Sequence, residues 1–263
     1  MKRILLYARA FLESLRVALS AASAYRANFA LSSVIMLLSN LAFPFATVLI
    51  YGSGAGFPGW NFWEVLLMQG IYTVASGFAQ VFFQGIFWVT NFSIREGTFE
   101  KYLLKPVRPL FAIMMDSIRF EALGMIAGGG ILTAVAIGKT GHVSASSALA
   151  CAALFAGGIC VLFGITAIMA ATSFKWVGNS RIPEIFDSAL NFGKYPLDIF
   201  PSGARAVATF LIPVAMIGFF PASALLGRAE SAHFIALIPC VLFMAAGIAL
   251  YGAMVHLYES AGG

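Results

Sequence analysis

The sequence predicts an all-α polytopic membrane protein with six transmembrane helices, on the evidence of its composition and its charge placement. Of the 263 residues, 60% are apolar and 10% are charged, whereas soluble domains carry about 25% charged residues. Fourteen of the sixteen Lys and Arg residues lie in stretches 2–26, 95–119 and 175–205, separated by long apolar runs. Because basic loops stay in the cytoplasm, we expect these stretches and both termini to be cytoplasmic. The cations form no continuous basic stripe, so we expect no nucleic-acid partner.

The chain begins with a helix on the membrane surface, followed by two spans. In residues 4–24, leucines recur on one helical face and charged residues on the other, which is typical of an amphipathic helix lying along the interface. The uncharged run 28–51, broken only by Pro44, is long enough to cross a hydrocarbon core of roughly 30 Å. Residues 62–90 form the second predicted span, preceded by Trp60, whose ring suits the outer interface.

The segment between the second and third spans carries a dense cluster of charges. It ends at Pro106 and Pro109, so residues 94–107 are predicted to contain a short cytoplasmic helix. Because this helix is connected to two spans, it could transmit a movement of a partner protein to the helix bundle. An ordinary solvated loop is the alternative, and the residues alone favour neither interpretation.

Three later runs are also apolar over most of their length, and we expect them to cross the membrane. These are residues 111–138, 148–174 and 234–258. Within the first of them, Gly124 and Gly128 lie one helical turn apart. Small residues at that spacing let another helix approach closely in lipid, which predicts a helix contact at this point. Chance occurrence in a Gly-rich span is the alternative, and the residues alone favour neither.

The location of the fifth span is ambiguous. Residues 206–227 are uncharged, and hydropathy alone favours them, but Pro213 and Pro221 divide the run into halves that suit a helix pair entering and leaving from one side. Residues 178–197 are the alternative, although they carry several charges, each costing about 2.5–3.5 kcal/mol at mid-membrane. The predicted orientation of the chain is the same under both assignments.

Six charged residues in or beside the predicted spans are candidates for lining a pathway or for forming intramembrane ion pairs. They are Asp116, Arg119, Glu121, Arg181, Glu184 and Asp187. A buried carboxylate is costly unless it is paired, so the acidic members, together with Glu64, would suit a cationic amphiphile. Pairing with internal cations such as Arg119 and Arg181 is the favoured explanation.

The second span also contains four side-chain amides. They are Gln69, Gln80, Gln84 and Asn91. We expect these amides to form hydrogen bonds between helices rather than to line a pathway, because such bonds commonly hold transmembrane helices together.

No motif for catalysis, nucleotide binding or metal binding is complete. Residues 54–59 match the GxGxxG spacing, but Pro58 interrupts the motif and no strand precedes it. Residues 138–140 resemble the end of a phosphate-binding loop without its first glycine. The HExxH and GxSxG motifs are absent from the sequence. We therefore expect no enzymatic activity, metal or cofactor on this chain.

Two blocks of the sequence resemble a known family of permeases. Residues 92–106 read FSIREGTFEKYLLKP, and residues 192–201 read FGKYPLDIFP, followed by FLIPVA at residues 210–215. In this order they resemble the REG…LL+P, GxYPLxIFP and FxIPVA signatures of permease subunits of bacterial type-2 ABC exporters. With six predicted spans, the resemblance covers essentially the whole chain.

The resemblance implies a subunit of the bacterial cytoplasmic membrane that works with two copies of a separate ATPase, on which ATP and Mg are bound. It also implies a second, homologous but different permease chain. It places residues 178–197 as the fifth span and residues 203–227 as an external re-entrant hairpin. The helix at 94–107 would then contact the ATPase. The residues that the resemblance assigns to this coupling are Arg95, Glu96, Gly97, Glu100, Lys101 and Lys105.

The function implied by the resemblance is ATP-driven efflux of a hydrophobic or cationic amphiphilic compound. The alternative function is a membrane-embedded scaffold that recruits soluble proteins through residues 94–107 without moving a substrate. A membrane enzyme ranks third, because no catalytic set is visible in the sequence.

Overall fold

The computed structural model describes residues 2–141, 143–176 and 181–259, and every regular element within these ranges is a helix. In the first part of the chain the α-helices are α1 (Lys2–Ala24), α2 (Arg26–Ser39), α3 (Ala42–Gly52), α4 (Phe62–Phe82), α5 (Gly85–Arg95), α6 (Glu100–Leu103) and α7 (Pro109–Asp116). The later α-helices are α8 (Leu123–Thr140), α9 (Ala145–Thr172), α10 (Arg181–Phe192), α11 (Ser202–Ala206), α12 (Phe219–Leu225), α13 (Ser231–Ile235) and α14 (Leu237–Val255).

Five helical stretches in the described residues are long and apolar enough to cross a membrane. They are Arg26–Gly52, Phe62–Arg95, Phe120–Thr140, Ala145–Thr172 and Ser231–Val255. The prediction of an all-α membrane protein is therefore confirmed. The sixth span, at 178–197, stays a prediction: its first residues lie outside the described ranges, and α10 has twelve residues, fewer than the roughly 20 that a span needs.

The first membrane stretch is broken between α2 and α3, at Asn40 and Leu41. Pro44, in the first turn of α3, is the physical cause. Proline has no N–H to donate to the carbonyl four residues earlier, and its ring clashes with that carbonyl. The carbonyl in question belongs to Asn40, so the helix is interrupted one turn before the proline.

The second membrane stretch is also broken, and its break faces the one between α7 and the third stretch. The backbone N–H of Arg119 donates a hydrogen bond to the Val81 carbonyl at 2.9 Å. Gly85 comes so close to Ser117 that a Cβ at Gly85 would lie 3.0 Å from the Ser117 Cβ. The predicted span 111–138 is therefore divided between α7 and α8, with a short 3₁₀ turn before α8.

Glycines let the membrane helices approach closely, as expected for helix packing in lipid. In the contact of α4 with α8, a Cβ at Gly70 would lie 2.5 Å from Thr133 Oγ1. In the contact of α2 with α8, a Cβ at Gly124 would overlap the Ser33 carbonyl, while one at Gly128 would lie 3.4 Å from Leu37 Cγ. The predicted helix contact at Gly124 and Gly128 is thus confirmed, and its partner is α2.

The second half of the bundle is built around α9. Gly164 of α9 and Gly247 of α14 face each other, and a Cβ at Gly247 would lie 2.7 Å from the Gly164 carbonyl oxygen. Gly158 lies against the chain that precedes α12, since its Cβ would come within 2.7 Å of the Met216 carbonyl oxygen. These contacts bury Met216 and Ile217 completely.

The uncharged run 206–227 is not one continuous helix. A π-helical turn, Val207–Leu211, extends α11 and ends at Ile212, and α12 begins only at Phe219. The two later signature blocks meet here, because a Cβ at Gly193 would lie 2.9 Å from the Val214 carbonyl oxygen. Gly193 therefore has a packing role. The assignment of residues 203–227 to a re-entrant hairpin remains a prediction.

We predict that Gly124→Ala destabilises the protein, because the added methyl group would overlap the backbone of α2. Overpacking costs about 1–3 kcal/mol and outweighs the roughly 1 kcal/mol that alanine gains over glycine in a helix. Gly130→Ala is the matched control on α8, since a Cβ there meets nothing within 4 Å. Thermal unfolding of the detergent-purified variants should lower the midpoint only for Gly124→Ala. Equal midpoints would contradict the close contact.

Candidate coupling site

Residues 94–107, here called the coupling segment, start in the last turn of α5. Gly97 follows directly after the end of that helix. The Gly97 φ is +65°, in the left-handed region that glycine adopts without strain. The Thr98 N–H donates to the Ser93 carbonyl at 2.8 Å, and the Gly97 N–H donates to the Ile94 carbonyl at 3.2 Å. This pair of bonds is a Schellman motif. Gly97 thus turns the chain sharply and offers no side chain to a partner.

Two aromatic rings fix the coupling segment to the membrane helices. Phe99 is fully buried, and its ring centroid lies 5.0 Å from that of Phe174, just after α9, and 5.0 Å from that of Tyr258, just after α14. Tyr102, on α6, is also buried and packs on Phe99 at 5.9 Å. The segment is therefore held by the ends of α9 and α14 as well as by its covalent links.

The helix predicted over 94–107 is much shorter in the structure. Only Glu100–Leu103 forms α6, because the Schellman turn at Gly97 precedes it and Pro106 follows it. A single turn places residues three apart on the same face. Phe99 and Tyr102 consequently share the buried face, and Leu104 does not.

Electrostatic contacts hold the lysines of the coupling segment around Tyr102. Lys101 Nζ and Lys105 Nζ lie 4.8 and 5.1 Å from the Tyr102 ring centroid. Lys105 also pairs with Asp116 of α7 at 3.4 Å. Burial, followed by the Asp116 carboxylate, raises the pKa of Tyr102 to about 12. The ring therefore stays neutral at physiological pH and holds the cations through its face.

The outer surface of the coupling segment combines exposed leucines with charges of both signs. Leu104 is 85% exposed and Leu103 is 44% exposed. The exposed charged residues of the segment are Arg95, Glu96, Glu100 and Lys101. Apolar anchors within a polar rim are typical of protein interfaces. Sequence reasoning missed Leu104, although its place outside the Phe99 and Tyr102 register was a usable signal.

The N-terminal helix lies beside the same end of the bundle. The Arg108 N–H donates to the Tyr7 hydroxyl at 3.0 Å, and the Tyr7 ring packs on Phe111 at 4.8 Å. A cavity of about 820 Å³ opens between α1, α5 and the coupling segment, with Glu13 and Trp88 in its lining. A second, largely apolar cavity of about 690 Å³ lies between Tyr7, Phe111 and α14.

The predicted coupling residues lie together, whereas the predicted ion-pair residues are scattered. Asp116 pairs with Lys105 rather than with Arg119, and Arg181 pairs with Glu184 at 3.8 Å on an exposed face of α10. The Glu121 carbonyl accepts a hydrogen bond from Ser33 Oγ at 3.0 Å. Asp187 lies on the exposed surface of α10.

The amides of the second span partly follow their prediction. Gln69 Nε2 donates to Thr47 Oγ1 at 2.7 Å, and Asn91 Nδ2 lies 3.5 Å from Ser173 Oγ. The expectation of hydrogen bonds between helices is therefore confirmed for these two residues. Among the described residues, no group of three or more His, Cys, Asp or Glu side chains is placed to hold a metal ion.

A network that the sequence did not indicate lies at the opposite end of α4. Glu64 is buried and pairs with Arg228. The Arg228 guanidinium lies 5.6 Å from the Trp60 ring, and Trp60 Nε1 donates to Asp198 Oδ2 at 2.9 Å. Trp60 is consequently buried in protein rather than facing lipid at the interface. The signal was too weak to read, since Glu64 and Arg228 are 164 positions apart in the sequence.

We predict a large loss of stability for one apolar substitution in the coupling segment and almost none for another. Phe99→Ala should lower the free energy of unfolding by about 3–5 kcal/mol, the usual cost of emptying a buried phenylalanine site. Leu104→Ala should change it by less than about 0.5 kcal/mol, because the side chain is exposed. Denaturant unfolding in detergent measures both. A large loss for Leu104→Ala would contradict the exposed position.

A match to a protein-family model agrees with this architecture. Residues 34–262 match the model of the ABC-2 family transporter proteins, which leaves α1 and the start of α2 outside the match. No curated protein and no solved structure matches the chain. The match covers most of the sequence, including the coupling segment and both later signature blocks. The chain therefore belongs to the ABC-2 family of transporter membrane proteins, and it is a permease component of an ABC transporter.

Proposed function

We propose that this chain is the permease subunit of an ABC exporter and that the coupling segment receives the motion of a separate ATPase. The supporting observation is the surface around Leu104. A largely exposed leucine lies among charges on a segment whose other side is locked to α9 and α14 by Phe99. Such a surface gains binding energy when a partner covers it. Membership of the family implies association with an ABC ATPase.

The proposed mechanism uses two permease chains and two copies of the ATPase. The second permease is a different, homologous chain, so that the two enclose one pathway. ATP and Mg bind only to the ATPases. When ATP draws the ATPases together, their contacts favour one arrangement of the permeases over the other. Force applied at Glu100 and Lys101 reaches α9 and α14 through Phe99, because packed aromatic rings do not deform continuously.

The exported compound in this proposal is an amphiphile of the bacterial cytoplasmic membrane. A cationic headgroup has less support than the sequence suggested, because three of the acidic side chains that pointed to it are paired within the protein. Glu64 pairs with Arg228, Asp116 with Lys105 and Glu184 with Arg181. A carboxylate already paired with a cation has little electrostatic gain left for a second one.

A scaffold function uses the same exposed surface without transport, and co-purification separates the two functions. Recovery of an ATPase and a second polytopic chain supports export. Recovery of unrelated soluble proteins without an ATPase supports a scaffold.

We predict that Leu104→Ala weakens the complex with the ATPase by about tenfold, or roughly 1.4 kcal/mol, as expected for an interface anchor. Reversal of the charges at Arg95 and Glu96 should weaken the complex with the ATPase further. The measurement is stimulation of ATPase activity as the permease is titrated into the ATPase. Leu149→Ala is the matched control, because Leu149 is 73% exposed at the opposite end of the bundle. Normal stimulation by both Leu104→Ala and the charge-reversed variant would contradict the assignment.

We also predict that cysteines placed at Leu104 and at Gly203 react with membrane-impermeant thiol reagents from opposite sides. Both positions are exposed in the structure, and the substitutions are made after replacement of Cys151, Cys160 and Cys240. Leu104→Cys should react only from the cytoplasmic side, and Gly203→Cys only from the external side. Cytoplasmic labelling of Gly203→Cys would overturn the hairpin at 203–227.

A further inference from the structure

A cavity of about 250 Å³, with several polar side chains in a largely apolar lining, lies between the helices far along the chain from the coupling segment. It is bounded by the break between α2 and α3, by α4 and by the residue that ends the turn after α10, Lys194. Gln69, in its lining, is seven residues beyond the start of α4, or roughly 10 Å along the helix axis at 1.5 Å per residue. This places Gln69 about two helical turns inside the membrane stretch Phe62–Arg95, and lipid offers no polar partner within the hydrocarbon region.

Gln69, a residue of the cavity lining, carries an unused hydrogen-bond acceptor. Its side chain is 3% exposed, and its Nε2 donates to Thr47 Oγ1 at 2.7 Å. The Thr47 hydroxyl proton is already given to the Phe43 carbonyl, at 3.2 Å, so Thr47 can only accept from Gln69. With Nε2 as the donor, Gln69 Oε1 is buried, and among the described residues it has no hydrogen-bond partner. An unmade bond on a buried acceptor is costly, and a donor on a ligand would relieve that cost.

Lys194 supplies a positive charge to the same cavity. Its Nζ donates to Asn191 Oδ1 at 2.7 Å and lies 5.6 and 5.7 Å from the ring centroids of Phe43 and Tyr72. Within the described ranges, no carboxylate lies within 4.0 Å of this nitrogen, and the Asp187 carboxylate of α10 acts on the charge from farther away. A half-buried ammonium group held by an amide and two ring faces retains a strong attraction for an anion.

A freed backbone carbonyl adds to the acceptors around the cavity. Pro44 has no N–H to donate to the Asn40 carbonyl in the helical pattern, and both residues belong to the lining. The cavity thus combines one cation with acceptors that need a donor. Its volume is below the 300–1,000 Å³ typical of sites that enclose a drug-sized ligand, so it fits a headgroup and leaves an acyl chain outside.

We propose that this cavity binds the headgroup of an anionic amphiphile, with an anionic oxygen paired to Lys194 and a neighbouring hydroxyl or amine donating to Gln69 Oε1. The inference rests on the proposed export function in one respect, because it takes the bound amphiphile to be the exported compound. Lys194 repels a purely cationic headgroup, and a headgroup without a donor leaves Gln69 unsatisfied. The preferred compound therefore carries both an anion and a hydrogen-bond donor.

The test is thermal unfolding of the purified full-length chain in neutral detergent, titrated with short-chain lipids. Dioctanoyl phosphatidylglycerol carries an anion and hydroxyl donors, and dioctanoyl phosphatidylcholine carries neither a net charge nor a donor. Glycerol phosphate supplies the soluble headgroup alone. We expect phosphatidylglycerol to raise the midpoint in a saturable manner, and the other two compounds to give little change.

Variants assign the shift to the cavity. Lys194→Gln and Gln69→Met should each weaken phosphatidylglycerol binding by about tenfold or more, and Lys194→Arg should retain part of it. Lys139→Gln is the matched control, because Lys139 also lies over an aromatic ring, 5.8 Å from that of Trp63, but outside the cavity. Lys194→Gln removes a half-buried side chain and keeps the test valid should Gln69→Met fail to fold.

Three results would overturn the proposal. One is an equal shift with both lipids, the second is unchanged phosphatidylglycerol binding by Lys194→Gln, and the third is no saturable shift at all. An equal shift with glycerol phosphate would overturn the assignment to an amphiphile in favour of a soluble anion. Because binding is measured without ATPase or nucleotide, its failure leaves the coupling result untouched. Conversely, a variant of the coupling segment that no longer stimulates the ATPase should still bind the lipid, so the two proposals can fail separately.

Discussion

The Phe99 ring, buried against Phe174 and Tyr258, joins a one-turn helix to the ends of two membrane helices. Gly97 makes this possible, because its left-handed conformation turns the chain back toward the bundle directly after α5. With one face of the segment fixed in this way, Leu104 is left 85% exposed on the other face. Rigid attachment on one side and an open surface on the other are what a coupling element requires.

The same bundle contains a polar interior that helix packing alone does not explain. Glycines bring α4, α8, α9 and α14 into close contact, and such packing excludes cavities. Pro44 interrupts the first membrane stretch beside α4, and the resulting gap contains Gln69 and Lys194. Gln69 of the cavity lining lies near the start of the broken stretch Phe62–Arg95, and the coupling segment begins at the end of that stretch. Motion of the coupling segment therefore has a direct covalent route toward the cavity.

The sequence predicted the features that depend on local composition. Five apolar stretches and the glycine contact at Gly124 were predictable, because hydropathy and residue size act within a few turns. The division of residues 206–227 was suggested by Pro213 but stayed open, since charge and hydropathy favoured different spans. The exposure of Leu104 could have been predicted from its register relative to Phe99 and Tyr102. The pairing of Asp116 with Lys105 and the position of Lys194 near Gln69, in contrast, depend on contacts between distant segments. No local pattern encodes such contacts.

The most direct test of the coupling account is a pulsed electron-spin measurement of the distance between labels at Leu104 and Gly203 in the assembled transporter. The account predicts that the distance distribution shifts when Mg-ATP binds to a hydrolysis-deficient ATPase, because the coupling segment moves relative to the far side of the bundle. It also predicts no shift when Mg-ATP is added to the permease without the ATPase. An unchanged distribution in the assembled complex, with ATP shown to be bound, would contradict the account.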